Sequence, residues 1–301
     1  MSWKLAVTAP RLAIEQALAR QEADPDWDPA LVVTGFEVDP DEPEVWQLDA
    51  YCEGKPSQAE RNAVKRLFDA PLPRIRPFEL PDADWVSESQ KGMDPIRAGR
   101  FHVRTPDHPR SNEPGVRDFC IPAAQAFGTG QHATTAGCLA MLDAMKRQGV
   151  MARNIADIGT GTGLLAFAAL HLWPRAHATA SDIDPVCLPA VEENAELNGV
   201  PLGNRRGQLD MVIAEGMDDD TLQDNAPYDL LIANILAAPL IELAPAFAAA
   251  MAPRGHIVLS GLLVTQEAHV RAAYRLAGYR LQARITNGDW SILWLRQRFG
   301  F

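Results

Sequence analysis

Three glycines at alternate positions, Gly159, Gly161 and Gly163, follow a short apolar strand, Asn154–Ile158, and precede an alanine- and leucine-rich helix over Leu164–Trp173. Strand, glycine turn and helix together bring a ligand against bare backbone at a helix N-terminus. Two nucleotide chemistries fail the spacing. A dinucleotide fingerprint needs its third glycine at the position of Leu164, and a phosphate loop needs Gly-Lys-Ser/Thr, whereas this turn has no lysine. About twenty residues on, the stretch Ala178–Pro185 ends the next strand with Asp182 and Asp184. An acid at the end of the second strand of such a unit accepts hydrogen bonds from ribose hydroxyls. Asp184 precedes Pro185, and proline suits a first helical position, so Asp184 reads as an N-cap. Asp182, at the strand end itself, is the expected ribose ligand.

What remains is D-x-G-x-G-x-G over Asp157–Gly163, the turn that lies under the methionine part of S-adenosylmethionine in doubly wound methyltransferases. That cofactor carries no phosphate, and the glycines let backbone approach its carboxypropyl and ribose groups. A tight strand–helix turn without a ligand would use the same residues, and a solvated strand-end acid would look like Asp182. A fourth strand, Tyr228–Ala233, ends in Asn234-Ile235-Leu236. An Asn at that strand end faces the reacting centre in many amino-group methyltransferases, where its amide orients the acceptor nitrogen. Upstream, Phe127-Gly128-Thr129-Gly130-Gln131-His132-Ala133-Thr134-Thr135 opens a helix through Leu142. Two glycines, three threonines and an imidazole suit a loop that closes over a bound cofactor, with Phe127 as a wall. His132 is a candidate base; the alternative is a helix-start residue satisfied by backbone.

The elements that must position these residues alternate. Strands over Gln208–Ala214 and His256–Leu263 join those already named. Helices over Leu240–Met251 and Gln266–Leu276 lie between them, and a further helix starts at Asp184, is disturbed by Pro189 and ends at Gly199. A hairpin, Tyr279–Ile285 and Trp290–Arg296 around Asn287-Gly288-Asp289, closes the chain. The expected fold is α/β: a doubly wound, mostly parallel seven-stranded sheet in which only the last strand is antiparallel, with a smaller N-terminal α+β domain. That domain takes residues 1–82, with strands at Ser2–Val7, Leu31–Val38 and Glu44–Tyr51 and helices at Arg11–Arg20 and Pro56–Leu67, the second capped by Ser57. Residues 83–100 read as a linker anchored by Trp85, and 101–301 as the methyltransferase domain. There, Phe101–Arg104 is a strand and Thr105–Pro114 a loop.

The chain has 39 acids against 28 Lys and Arg, a formal charge of -11. That balance disfavours nonspecific binding to nucleic acid or an anionic membrane and suits a basic partner. Glu22 to Glu44 holds nine acids and no Lys or Arg, either a solvated face or a docking surface for a basic protein. Cys52, Cys120, Cys138 and Cys187 form no C-x-x-C pair and read as reduced thiols of a cytoplasmic protein, with no zinc or other metal site. The N-terminus lacks a signal-peptide pattern, and no apolar run is long enough to span a membrane.

The loop Phe127–Thr135, the turn Asp157–Gly163, Ser181–Pro185, Ala233–Leu236 and Leu259-Ser260-Gly261, with Asp84-Trp85, Pro95 and Gly99 before them, resemble the PrmA family, methyltransferases of large-subunit ribosomal protein eleven. The Phe-Gly-Thr-Gly-x-His-x-Thr-Thr loop is the specific part. The resemblance implies a substrate-recognising N-terminal domain, a helical linker and a catalytic domain that methylates lysine side chains and the N-terminal amine of that ribosomal protein. Carried over, cofactor contacts fall on Thr135, Gly159, Asp182 and Asn234. Ala133 stands where many members have proline, and Thr160 and Thr162 where Cys and Ser are common. The alternatives are another protein-lysine methyltransferase on the same catalytic domain, a nucleic-acid amino methyltransferase, or a binding protein without catalysis. The nucleic-acid reading lacks the Asn-Pro-Pro-aromatic run, since Ile235 and Leu236 follow Asn234.

Overall fold

Ser2–Pro10 forms β1, and around it fold α1 (Arg11–Glu22), β2 (Val32–Glu37), β3 (Val45–Cys52), α2 (Gln58–Arg66) and β4 (Ile75–Leu80). The structure, a computed structural model, describes residues 2–22, 24, 27, 28, 31–38, 44–52, 54–70, 73–80, 94–122 and 131–297. They fall into two units, Met1–Glu88 and Ser89–Phe301. The turn Asp39–Pro43, Trp85 with most of the expected linker, Phe127, Gly128 and Gly130 lie outside the described residues, as does the side chain of His132.

In the first unit the sheet is antiparallel, in the order β2-β3-β1-β4. Alternation puts Leu5, Val7, Leu48 and Ala50 on one face, where Ile14, Ala17 and Val64 of the helices bury them. α2 opens with a capping box: Glu60 N donates to Ser57 Oγ at 3.2 Å and Ser57 N donates to Glu60 Oε2 at 2.6 Å. β4 carries Pro77, which disguises it in the sequence; at the edge of a sheet a missing N–H is tolerated.

The second unit begins with a small sheet of β5 (Ile96–Ala98), β6 (Phe101–Arg104) and β7 (Arg117–Cys120). After α3 (Gln131–Arg147) come β8 (Asn154–Ile158), α4 (Leu164–Leu172), β9 (His177–Asp182), α5 (Cys187–Asn198), β10 (Leu209–Ile213), α6 (Asp220–Asp224) and β11 (Tyr228–Asn234). Then follow α7 (Ala237–Glu242), α8 (Ala244–Ala249), β12 (Met251–Leu263), α9 (Glu267–Leu276), β13 (Tyr279–Asn287) and β14 (Trp290–Gln297). The seven strands β8 to β14 form one sheet in the order β10-β9-β8-β11-β12-β14-β13. β8 to β12 are parallel; β14 pairs antiparallel with both β12 and β13 and is the one reversed strand of this sheet. Ile155, Ile232 and Val258 face α3 and α4, while Ile158, Leu231 and Ile257 face α7, α8 and α9, so both faces are buried.

Three expectations are corrected. The helix expected over Leu240–Met251 is two short helices, because Pro245 has no N–H to give the Ile241 carbonyl and the chain breaks at Leu243. The helix expected to end at Leu142 runs on to Arg147, since Asp143 is buried and paired with Arg100 at 2.5 Å and Arg147 at 3.3 Å. Asp184 is not an N-cap: α5 starts at Cys187, and Asp184 Oδ1 instead accepts from Val186 N at 3.0 Å in a turn before the helix. Among the described residues no helix is long and apolar enough to cross a membrane.

Candidate cofactor site

The carboxyl ends of β8, β9, β10 and β11 meet beside the topological switch between β8 and β11, where open parallel sheets leave a crevice. A cavity of about 600 Å³ lies there. Its floor is the glycine turn. Gly159 N and Thr160 N donate to the Ser181 carbonyl at 2.8 and 2.9 Å, which staples the turn to β9. Gly161 N donates to Asp182 Oδ2 at 2.8 Å, and Asp184 N donates to Asp182 Oδ1 at 3.1 Å. Asp182 is therefore held by backbone while still lining the cavity.

Asp157, the first residue of the turn motif, is 1% exposed. Its Oδ2 accepts from the Thr160 hydroxyl at 2.7 Å and from Ala166 N at 3.0 Å, so it caps the first turn of α4 from the neighbouring strand. Burial pushes its carboxyl up to about 7, Asp182 adds to the rise, and the Thr160 and Ala166 donors oppose it. Its Oδ1 is buried without a partner among the described residues. The Cys187 thiol, also in the lining, is pushed up to about 12 by burial and by Asp182 and Asp184.

Asn234 ends β11 and lines the cavity, and its Oδ1 is buried with no hydrogen-bond partner among the described residues. The next residue, Ile235, is wedged between two glycines. A Cβ on Gly159 would lie 2.2 Å from Ile235 Cγ2, and one on Gly261 would lie 2.2 Å from the Ile235 carbonyl oxygen. Both glycines have positive φ, 71° and 82°, so neither position accepts another residue without strain. Leu236, 71% exposed, and Ile183 and Val186 form an apolar rim.

Of the residues singled out in the sequence, Thr135, Gly159, Gly161, Asp182 and Asn234 line this one cavity. Thr135 reaches it from the first turns of α3, whose Ala133 carbonyl accepts from Asn287 Nδ2 at 3.1 Å. Gly163 stands outside the lining, at the N-cap position of α4 with φ 82°. Sequence reasoning passed over Glu215 and Glu242. All four charged residues of the described lining, Asp182, Asp184, Glu215 and Glu242, are acids. Glu215 had a signal, since it follows a strand of the parallel series; Glu242 sat in the first turn of the helix expected over Leu240–Met251. Among the described residues no three His, Cys, Asp or Glu stand together as a metal site.

A family-wide sequence pattern described as ribosomal protein L11 methyltransferase (PrmA) matches residues 27–298. A ribosomal protein L11 methyltransferase of Agrobacterium fabrum is 37% identical over 272 residues, covering 90% of both chains. One from Rhizobium meliloti is 39% identical over 247 residues, covering 80% of this chain and 81% of its own. Among solved structures, the ribosomal protein L11 methylase of Lactobacillus delbrueckii subsp. bulgaricus superposes with a TM-score of 0.56 at 28% identity, over 68% of this chain and 100% of its own.

Proposed function

The chain belongs to the ribosomal protein L11 methyltransferase (PrmA) family, and on that premise we propose that the cleft at the carboxyl ends of β8, β9, β10 and β11 holds the cofactor and presents it to amines of ribosomal protein L11. The protein is an S-adenosylmethionine-dependent methyltransferase. The lining fits that group. A cavity of about 600 Å³ falls within the usual span of small-molecule sites, roughly 300–1,000 Å³. Every charge in the described lining is negative, which suits a cationic cofactor, and Asp182 stands where ribose hydroxyls find an acceptor.

S-adenosylmethionine supplies a methyl group already activated on a sulfonium. The protein's own tasks are to align and to deprotonate. A lysine ammonium has a pKa of about 10.4 and is inert while protonated. The apolar rim of Ile183, Val186 and Leu236 takes the lysine methylenes out of water and lowers the cost of shedding the proton to solvent. The Asn234 amide oxygen accepts an N–H of the amine and so fixes the direction of its lone pair. The observation that carries this reading is that buried oxygen at the cleft, unpartnered among the described residues.

The N-terminal unit is assigned to substrate recognition. Residues 1–88 contain 18 of the 39 acids but 9 of the 28 Lys and Arg, so nine of the eleven net negative charges lie there. That suits a basic ribosomal substrate. The same charge argues against nucleic acid or membrane as a partner, and a ribosomal substrate supports a cytoplasmic location. Incubation with labelled S-adenosylmethionine and total ribosomal protein tests the assignment: L11 takes the label on lysine and N-terminal amines. Label in other proteins, or none, would overturn it.

A further inference from the structure

α4 starts at Leu164 with Gly163 as its N-cap, so Ala166 N belongs to the first turn, whose N–H groups find no carbonyl within the helix. Here it donates to Asp157 Oδ2 at 3.0 Å, while Phe167 N keeps its bond to the Gly163 carbonyl at 3.0 Å. The Thr162 carbonyl, on a residue 7% exposed, is taken up by a side chain from another element: Asn194 Nδ2 of α5 donates to it at 3.0 Å. Asn194 is itself 3% exposed. One turn later, Asn198 Nδ2 donates to the Asn194 carbonyl and to the Cys120 carbonyl, both at 2.8 Å. Cys120 N returns a bond to Asn198 Oδ1 at 2.8 Å, and Arg117 Nη2 donates to the Asn198 carbonyl at 2.6 Å. Asn198 thus pairs with β7 as a neighbouring strand would, and Asn194 clamps the end of the glycine turn.

We propose that Asn194, anchored through Asn198 to β7, is a positioning residue for the cofactor: it holds the Thr162 carbonyl, and with it the shape of the turn that lines the cleft. The proposal rests on the cleft's assignment as the S-adenosylmethionine site. A buried carbonyl must find a donor. Without Asn194 Nδ2 the Thr162 carbonyl loses that donor, and a shift of residues 160–163 to find another would disturb the open turn that gives Gly161 N to Asp182.

A structural asparagine elsewhere in the sheet provides the comparison. Asn154 Nδ2, at the amino end of β8, donates to the Asn225 carbonyl and to the Pro227 carbonyl at 3.0 Å and lies outside the cleft lining. The test is calorimetry and steady-state kinetics on full-length Asn194→Leu, Asn194→Asp and Asn154→Leu beside wild type. Asn194→Asp keeps the volume and removes the donor, so it serves if the leucine variant does not fold. Both Asn194 variants are expected to bind S-adenosylmethionine about tenfold more weakly, ~1.4 kcal/mol, with KM for the cofactor raised in step and kcat at saturation within about twofold of wild type. Asn154→Leu is expected to lose thermal stability and keep wild-type affinity. Wild-type affinity in the Asn194 variants, or equal weakening in Asn154→Leu, would reduce Asn194 to a structural residue. A wild-type protein that does not bind the cofactor at all would overturn the cleft assignment, and this role with it.

Discussion

At the amino ends of β8 and β11, Asn154 donates from Nδ2 to the Asn225 and Pro227 carbonyls, and Asp229 Oδ2 accepts from Arg153 N at 2.8 Å and Asn154 N at 3.1 Å. At the carboxyl ends of the same two strands, Asp157 and Asn234 each keep a buried oxygen with no partner among the described residues, and so does the Ser181 hydroxyl on β9. The residue types match; their satisfaction does not. Buried polar groups are normally paired, and an unpaired one costs about 1–3 kcal/mol. The amino ends of these two strands use their polar groups to build the fold, and at the carboxyl ends Asn234 lines the cleft with an oxygen left for a ligand to complete.

The sharpest way to break this contrast is to truncate one asparagine at each edge. Asn234→Ala is expected to lower kcat about a hundredfold, because a misplaced nucleophile costs that much, and to change stability by less than about 0.5 kcal/mol. Asn154→Ala is expected to do the reverse, losing ~1–3 kcal/mol of stability at unchanged kcat. Urea melts beside turnover assays read both numbers, and equal behaviour of the two variants would erase the distinction between the edges.

Next in size is the pair of acids after β9. Asp182→Ala is expected to weaken cofactor binding by roughly 1.5–3 kcal/mol, the worth of a charged hydrogen bond. Asp184→Ala, which removes one turn bond to Val186 N, is expected to stay within about 1 kcal/mol in both affinity and stability. Titration calorimetry decides, and a larger affinity loss at Asp184 would reverse the assigned roles.

A smaller effect concerns Asp157. Its carboxyl, pushed up to about 7, holds a proton longer in the fold than in the unfolded chain. Its contribution to stability is therefore full at acid pH and is lost as pH rises through about 7. In Asp157→Asn that dependence disappears. The stability of wild type minus that of the variant should fall by on the order of 1–2 kcal/mol between about pH 5 and pH 8. A difference that is flat with pH would mean that the buried acid does not titrate in this window.

The smallest effect belongs to the N-terminal unit. Replacing Asp39→Lys, Asp41→Lys and Glu42→Lys together should raise KM for the ribosomal substrate a few-fold at low salt and less at physiological ionic strength, where screening acts over about 8 Å. Cofactor affinity should not move. Unchanged substrate KM at low salt would return the acidic run to a solvated face.

Much of the sheet was legible because its strands are continuous apolar runs broken by glycine and proline. The reversed last strand followed from Asn287-Gly288 between two strand patterns. β4, β5 and β7 escaped notice: the first holds Pro77, and the others span three and four residues, too few for a period to register. In the candidate site, the glycines and Asp182 announce themselves by spacing. Asn194 does not, because what matters in it is a hydrogen bond to a distant backbone atom, and an asparagine in a helix has no local signature for that; Asp157 was legible as the first residue of the turn motif, but its bond to Ala166 N was not. Asp184 misled because a proline after an acid fits a helix start equally well as a turn that delays one.

Hydrogen–deuterium exchange with and without S-adenosylmethionine tests the contrast between the two edges most directly. Added cofactor should slow exchange in peptides spanning Gly159–Leu165, Asp182–Cys187 and Asn234–Leu236, and leave those spanning Met151–Asn154 and Asn225–Asp229 as they were. Protection at the amino edge, or no protection at the carboxyl edge under saturating cofactor, would contradict the assignment of the unsatisfied edge as the cofactor site.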